Sequence, residues 1–183
     1  MPSRANLTSS NARLVPLPAM NKSDRAALLL AALRHAHDRL LDALSLKETV
    51  TSASIPVSTR FSLARWQLGR ARHLRQRVLN DVYAELFQSA TEQEAALLRL
   101  LQADELDLCQ RSSDHLAQWT NERVEADWPG YRAAAAEVIK RVRRRVMMER
   151  EAVYPMLIGR TGIPAHLPCA AEIREPWVSN AVS

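Results

Sequence analysis

The chain has 183 residues, a formal net charge of +5 and only four glycines, with Ala, Leu, Arg and Glu filling the stretches between short polar breaks. That length holds one domain with tails, and those side chains lose little freedom in a helix, so the composition points to long helices. Two distant cysteines, Cys109 and Cys169, exclude a CxxC motif and a disulfide framework, and no apolar run approaches the ~20 residues of a membrane span.

Residues 1–21 mix Ser, Asn, Pro and small side chains and read as a mobile arm. The arm lacks the continuous apolar core of a secretory signal, so the expected location is the cytoplasm. Helix formation is expected to start at Asn21-Lys22-Ser23-Asp24, with Asn21 or Ser23 capping exposed backbone donors. Leu28, Leu29, Leu33, Leu40, Leu41 and Leu44 follow at helical spacing, and the pattern fades near Ser45–Lys47. Residues 47–58, rich in Thr, Ser and β-branched types, read as a loop ending near Pro56. A second helix is expected from Thr59 to Phe87, with Phe61, Leu63, Ala64, Leu68, Leu74, Val78, Leu79, Val82, Tyr83 and Leu86 as its apolar positions.

Thr91 and Glu94 have the spacing of a capping box and open a third helix that runs to about Trp119 through Leu97, Leu98, Leu101, Leu106 and Leu108. The pattern loosens over residues 120–129. Asp127-Trp128-Pro129 then reads as a fresh start, with proline in the first turn. The fourth helix should reach about Leu157, with Tyr131, Ala135, Val138, Val142, Val146, Met147 and Val153 facing inward. Residues 159–183 contain Gly159, Gly162, Pro164, Pro168 and Pro176 and form a Pro-rich tail that can pack through Ile163, Leu167 and Trp177. The expected fold is all-α: an up-down-up-down four-helix bundle over residues 22–158, flanked by the arm and the tail.

Positive charge is clustered. Arg60, Arg65, Arg70, Arg72, Arg75 and Arg77 lie in a stretch without Asp or Glu, and Lys140, Arg141, Arg143, Arg144 and Arg145 form a second block. Arg70, Arg72, Arg75, Arg77, Arg141 and Arg144 are the candidates for meeting nucleic acid or an acidic protein surface. The plainer reading is a solvated helical face. Trp66, Trp119, Trp128 and Trp177 read as packing anchors rather than stacking platforms. His115 follows Asp114 directly, and adjacent helical residues do not face each other, so they make no acid–base pair. With no nucleophile–base–acid set, no glycine-rich phosphate loop and no paired catalytic carboxylates, the chain reads as a non-enzyme.

Three stretches carry a family resemblance. Arg145-Val146-Met147-Met148-Glu149-Arg150-Glu151-Ala152-Val153-Tyr154-Pro155 is similar to the closing signature of hemerythrin-like (HHE cation-binding) domains, where a His and then acidic residues run into a Tyr-Pro. Leu33-Arg34-His35-Ala36-His37-Asp38-Arg39-Leu40 resembles the family's opening helix, with His37 at the metal-binding position. Val82-Tyr83-Ala84-Glu85-Leu86 stands where the family often has Leu-Tyr-Pro. The run from Trp119 to Pro129 resembles a branch of small bacterial members.

The resemblance implies a di-iron pocket built from about five His and two bridging carboxylates. In this chain it implies that most of the ligands are replaced. Leu74 and Val78 take the second-helix places, with His73 one residue off; Glu105 and Cys109 take the third-helix places; on the fourth helix Arg145 takes the His place, with Glu149 or Arg150 at the carboxylate place. His37, Glu105, Cys109 and Glu149 are therefore the candidate remnant, vestigial or mononuclear. The expectation is a small cytoplasmic regulatory protein with no cofactor and an unidentified protein partner. The alternative is an iron-binding oxygen or redox sensor, and a second alternative is a binder of nucleic acid or an acidic partner. In the metal-free reading, Arg145 stands in for the metal's charge against Glu105 or Glu149 near His37, while Leu74 and Val78 fill the other side with hydrocarbon.

Overall fold

The computed structural model describes residues 21–56 and 58–162, and these fold into helices with no strand among them. The helices are α1 (Lys22–Thr51), α2 (Ser58–Phe87), α3 (Glu92–Gln118), the short α4 (Asn121–Ala126) and α5 (Trp128–Arg160). The expected arm up to Met20, and the tail with Ile163, Leu167, Cys169 and Trp177, lie outside the described residues. Among the described residues, no helix is long and apolar enough to cross a membrane.

The caps stand where the side-chain chemistry places them. Asn21 Oδ1 accepts the Asp24 amide at 2.7 Å, and the box at Thr91 and Glu94 is closed in both directions. Asp127 accepts the Gly130 amide at 2.9 Å, ahead of a first turn that carries Pro129. A side chain at Gly130 would displace this cap, since a Cβ would stand 2.1 Å from Asp127 Oδ2.

Three boundaries differ from expectation. α1 does not fade at Ser45–Lys47 but continues to Thr51, because Lys47, Val50 and Thr51 are buried and Thr49 and Thr51 turn their hydroxyls back onto the carbonyls of Ser45 and Lys47. A short helix, α4, occupies the loosened stretch, with Thr120 as its cap. α5 runs through Pro155 to Arg160, and the proline ring stands on its exposed side.

Contacts at the helix ends set the directions of the neighbours. Ser23 on α1 bonds the carbonyl of Thr161 just past α5, and Lys47 at the far end of α1 bonds Tyr131 near the start of α5. Arg25 pairs with Glu85, and Arg160 with Glu94. Each of these pairs joins an early residue of one helix to a late residue of another, so the helices run antiparallel. α1 packs closely against α2 and α5, whereas the α3 backbone stands farther from α2 and α5 and is linked to them by long side chains.

The interior is layered. Leu30, Leu33, Leu79, Val82, Leu98 and Val153 pack at one end, and Leu40, Leu44, Ala71, Leu108, Val142 and Val146 pack in the middle. At the other end Tyr131 stacks on Trp128 and meets Phe61 and Trp119 edge-on. Met147, expected to face inward, is exposed, as are Leu28, Leu63, Leu97 and Leu106 among the apolar helical positions. Between the first two apolar layers lies a polar one.

Candidate functional site

Each long helix sends charged or polar groups into that layer from a position flanked by apolar turns. They are His37 between Leu33 and Leu40 on α1, and Arg75 between Ala71 and Leu79 on α2. Glu105 stands between Leu101 and Leu108 on α3, and Arg145 and Glu149 stand between Val142 and Val153 on α5. All five are buried, with His37 and Glu149 wholly out of solvent and Arg75 and Arg145 only 2% exposed.

Arg75 is the centre. Its Nη1 and Nη2 donate to Glu105 Oε1 and Oε2 at 3.0 and 2.7 Å. Its Nε donates to Glu149 Oε2 at 3.0 Å, and Nη2 also donates to Glu149 Oε1. One planar guanidinium thus holds two carboxylates by two parallel forks, an arrangement Lys cannot reproduce. Arg145 donates from Nε to Glu149 Oε1 at 2.7 Å, from Nη1 to Asp104 at 2.8 Å, and from Nη2 to the Leu101 carbonyl at 2.6 Å and the Tyr83 hydroxyl at 3.2 Å.

Glu149 accepts from His37 Nε2 as well, at 2.8 Å. Its oxygens therefore take two bonds from Arg75, one from Arg145 and one from His37, which fills the lone-pair sites of a carboxylate. Burial alone would raise its pKa, but the His37 hydrogen bond and the two guanidinium groups outweigh that and bring it down to about 2. An ionised carboxylate only accepts, so the proton lies on His37 Nε2. In a neutral ring, Nδ1 then receives the Tyr154 hydroxyl at 2.8 Å. Burial also acts to lower the pKa of both arginines, and the carboxylates, Glu149 foremost, drive it upward. Tyr83 is pushed up to about 12 by burial and by Glu149.

The sequence-predicted residues fare unevenly. His37, Glu105 and Glu149 come together, and Arg145 makes the pair with Glu149 expected of it. Cys109 stays at the rim, half-buried, its Sγ 3.6 Å from Glu105 Oε1, with burial pushing its thiol pKa up. Among the described residues, no group of three or more His, Cys, Asp or Glu is placed to hold a metal ion. Two guanidinium groups stand between the candidate donors instead.

Two assignments on α2 need correction. Arg75, expected among the surface arginines, is the most central charge of the interior. Leu74 and Val78, expected to fill the pocket, are only half-buried and flank it, because the inward positions on α2 are the next residues along, Arg75 and Leu79. The signal was present: residues 61, 64, 68, 71, 75, 79, 82 and 86 recur every three or four positions, and Arg75 lies on that inner stripe. Arg70 and Arg77 are exposed and Arg72 is half-buried; Arg141 and Arg144 are exposed beside Asp104 and Asp107. Trp119 and Trp128 are packing anchors as expected, but Trp66 is 57% exposed with the Arg70 guanidinium 4.7 Å from its ring centre.

Comparison with family models, with curated proteins and with solved structures gives no match to this chain.

Substituting Arg75→Met leaves two buried carboxylates facing each other and is expected to cost about 3–5 kcal/mol. Adding Glu105→Gln should recover part of that loss, so a double-mutant cycle by urea denaturation should show strong coupling; additive effects would mean the fork contributes nothing as a pair.

Stability should also depend on acid. Glu149 binds its proton near pH 2 when folded, and an unfolded carboxylate binds at about 4.3. The unfolded chain therefore takes up the proton first as pH falls. The contribution of Glu149 is full above about pH 5 and is lost as pH falls through about 4 to 2, on the order of 3 kcal/mol in all. Urea midpoints at pH 6 and pH 3 should differ clearly in the parent and less in Glu149→Gln.

Proposed function

We propose that the chain is an up-down-up-down four-helix bundle of hemerythrin-like type in which a pair of guanidinium groups has taken the place of the di-iron centre. In this reading it works without metal, as a small cytoplasmic regulatory protein that acts by binding a protein partner rather than by catalysis. The observation that carries the reading is Arg75 forked onto both Glu105 and Glu149, with Arg145 and His37 completing the acceptor set of Glu149.

The donor set does not fit iron. A di-iron centre needs several neutral imidazoles and bridging carboxylates with free lone pairs, and this layer offers one imidazole and two carboxylates already forked by Arg75, with all the lone pairs of Glu149 engaged. Two fixed positive charges stand beside any position a cation would take, so metal entry would mean repulsion and the breaking of four charge-assisted bonds to Glu149. The antiparallel order of the four long helices supports the bundle topology, with α4 as part of the connection before α5. A binding role is supported by apolar side chains left on the outside, Leu100 and Leu106 of α3 and Met147 of α5, each more than half exposed.

Protein purified from iron-supplemented cells decides between this reading and an iron-based oxygen or redox sensor. Metal analysis is expected to find no stoichiometric iron, and the spectrum no charge-transfer bands. About two iron atoms per chain would overturn the reading.

A polyanion-binding role is a second reading, favoured by one feature. Arg39, Arg70, His73 and Arg77 line an open groove between α1 and α2 beside Trp66, with Asp42 as its carboxylate. Basic groups next to an exposed aromatic face suit the backbone and bases of a single strand. This reading expects retention on single-stranded nucleic acid that weakens steeply with salt and is lost in Arg70→Glu/Arg77→Glu. Unchanged mobility with DNA and RNA at low salt would remove it.

A further inference from the structure

A second polar cavity lies near the other end of α1, among residues that the arginine–glutamate layer does not use. Lys47 is ten residues beyond His37, about 15 Å along the helix. It is only 4% exposed, yet no carboxylate forms an ion pair with it among the described residues. Its Nζ donates to the Tyr131 hydroxyl and lies 4.5 Å from the Phe61 ring centre and 4.8 Å from that of Tyr131. Aromatic faces attract an ammonium but do not neutralise it.

Two nearby guanidinium groups, Arg65 and Arg72, add to the positive charge. The cavity beside Lys47, about 70 Å³, is also lined by Arg65, Arg72 and His115, and no Asp or Glu lines it. Arg65 is held by neutral oxygens of Trp119 and Asn121, each at 3.3 Å. The cost is visible on Lys47 itself: burial first, and then Arg65, bring its pKa down to about 7. Burial, Lys47 and Arg65 likewise lower that of His115. A further donor is left over: Trp119 also lines the cavity, and its indole Nε1 is buried without a hydrogen-bond partner. Buried donors and cations are normally paired, and this set has everything except the anion.

The rest of the wall is hydrocarbon, from Leu68, Val138 and Ile139. At that volume the space suits a molecule of only a few non-hydrogen atoms. A dianion such as phosphate would have no use for the apolar wall and would lose more hydration on entry.

We propose that this cavity is a binding site for a small aliphatic monocarboxylate. Its carboxylate meets Lys47 and the indole N–H of Trp119, and its tail lies against Leu68, Val138 and Ile139. The site is independent of the arginine–glutamate layer and of whether that layer derives from a metal centre. Occupancy would tie the C-terminal part of α1 to α3 and α5, which gives the bundle a ligand-sensitive end.

The test follows the indole N–H signals of the full-length chain by ¹H–¹⁵N NMR, with Trp119→Phe to assign the signal of Trp119. Butyrate is expected to shift that signal saturably, and butyramide, of the same shape without the charge, is not. Lys47→Met removes a buried amine for an apolar chain of similar length, so it should stay folded and weaken butyrate binding at least about tenfold, the loss of one charge-assisted bond. Equal binding of butyramide, undiminished binding by Lys47→Met, or a response to inorganic phosphate alone would each overturn the assignment. So would the absence of any saturable shift with butyrate.

Discussion

The Arg75 guanidinium, forked onto Glu105 and Glu149, is the contact on which the rest of the interior depends. It joins α2 to α3 and to α5 at one point, and four of its donor directions are used there. α3 stands off from its neighbours at the backbone, so short apolar side chains alone cannot span the gap at this level. Two arginines can. Their long stems cross the space and their heads meet the carboxylates, which is why Arg75 and Arg145 are as buried as the leucines around them.

Charge balance makes the layer self-contained. Arg75 and Arg145 offset Glu105 and Glu149, and the half-exposed Asp104 adds a bond where Arg145 approaches the surface. An ion cluster of this kind contributes little net stability against a hydrocarbon core of equal volume, since desolvation offsets most of the attraction. What it contributes is selectivity: each partner left alone would be a buried charge without a counter-ion, so helix rotations or shifts that separate the partners are disfavoured. The guanidinium plane also occupies the space where converging donors would hold a cation.

The cavity around Lys47 shows the opposite case. Both sites bring basic groups inward: His37, Arg75 and Arg145 in one, and Lys47 with the half-buried Arg65, Arg72 and His115 in the other. In the arginine layer both guanidinium groups have found a carboxylate on another helix, and the pKa values of Arg75, Arg145 and Glu149 move toward the charged forms. Around Lys47 the neighbours are rings, hydroxyls and other cations, and the pKa values of Lys47 and His115 move toward the neutral forms. The contrast between a satisfied layer and an unsatisfied one, within one bundle and about 15 Å apart, is what separates a structural device from a candidate ligand site.

Much of the architecture was legible in the order of residues, because helix caps and helical periodicity are local. Asn21, Thr91 with Glu94, and Asp127 ahead of Pro129 mark starts through contacts three residues away, and the apolar stripes follow from 3.6 residues per turn. The candidate site was legible in part: His37, Glu105, Arg145 and Glu149 stand out through the resemblance to a hemerythrin-like ligand pattern, and the structure brings them together. Arg75 was not found, since in sequence it belongs to a run of arginines and one position is about 100° of rotation on a helix. The burial of Lys47 was hidden in the same way by a Thr-rich stretch whose local chemistry favours a loop. Sequence alone determined that long amphipathic helices form, and where they begin. Which basic side chains lie inside, which carboxylates they meet and which remain unpaired was decided only by tertiary structure, because those outcomes rest on contacts between helices that can be dozens of residues apart.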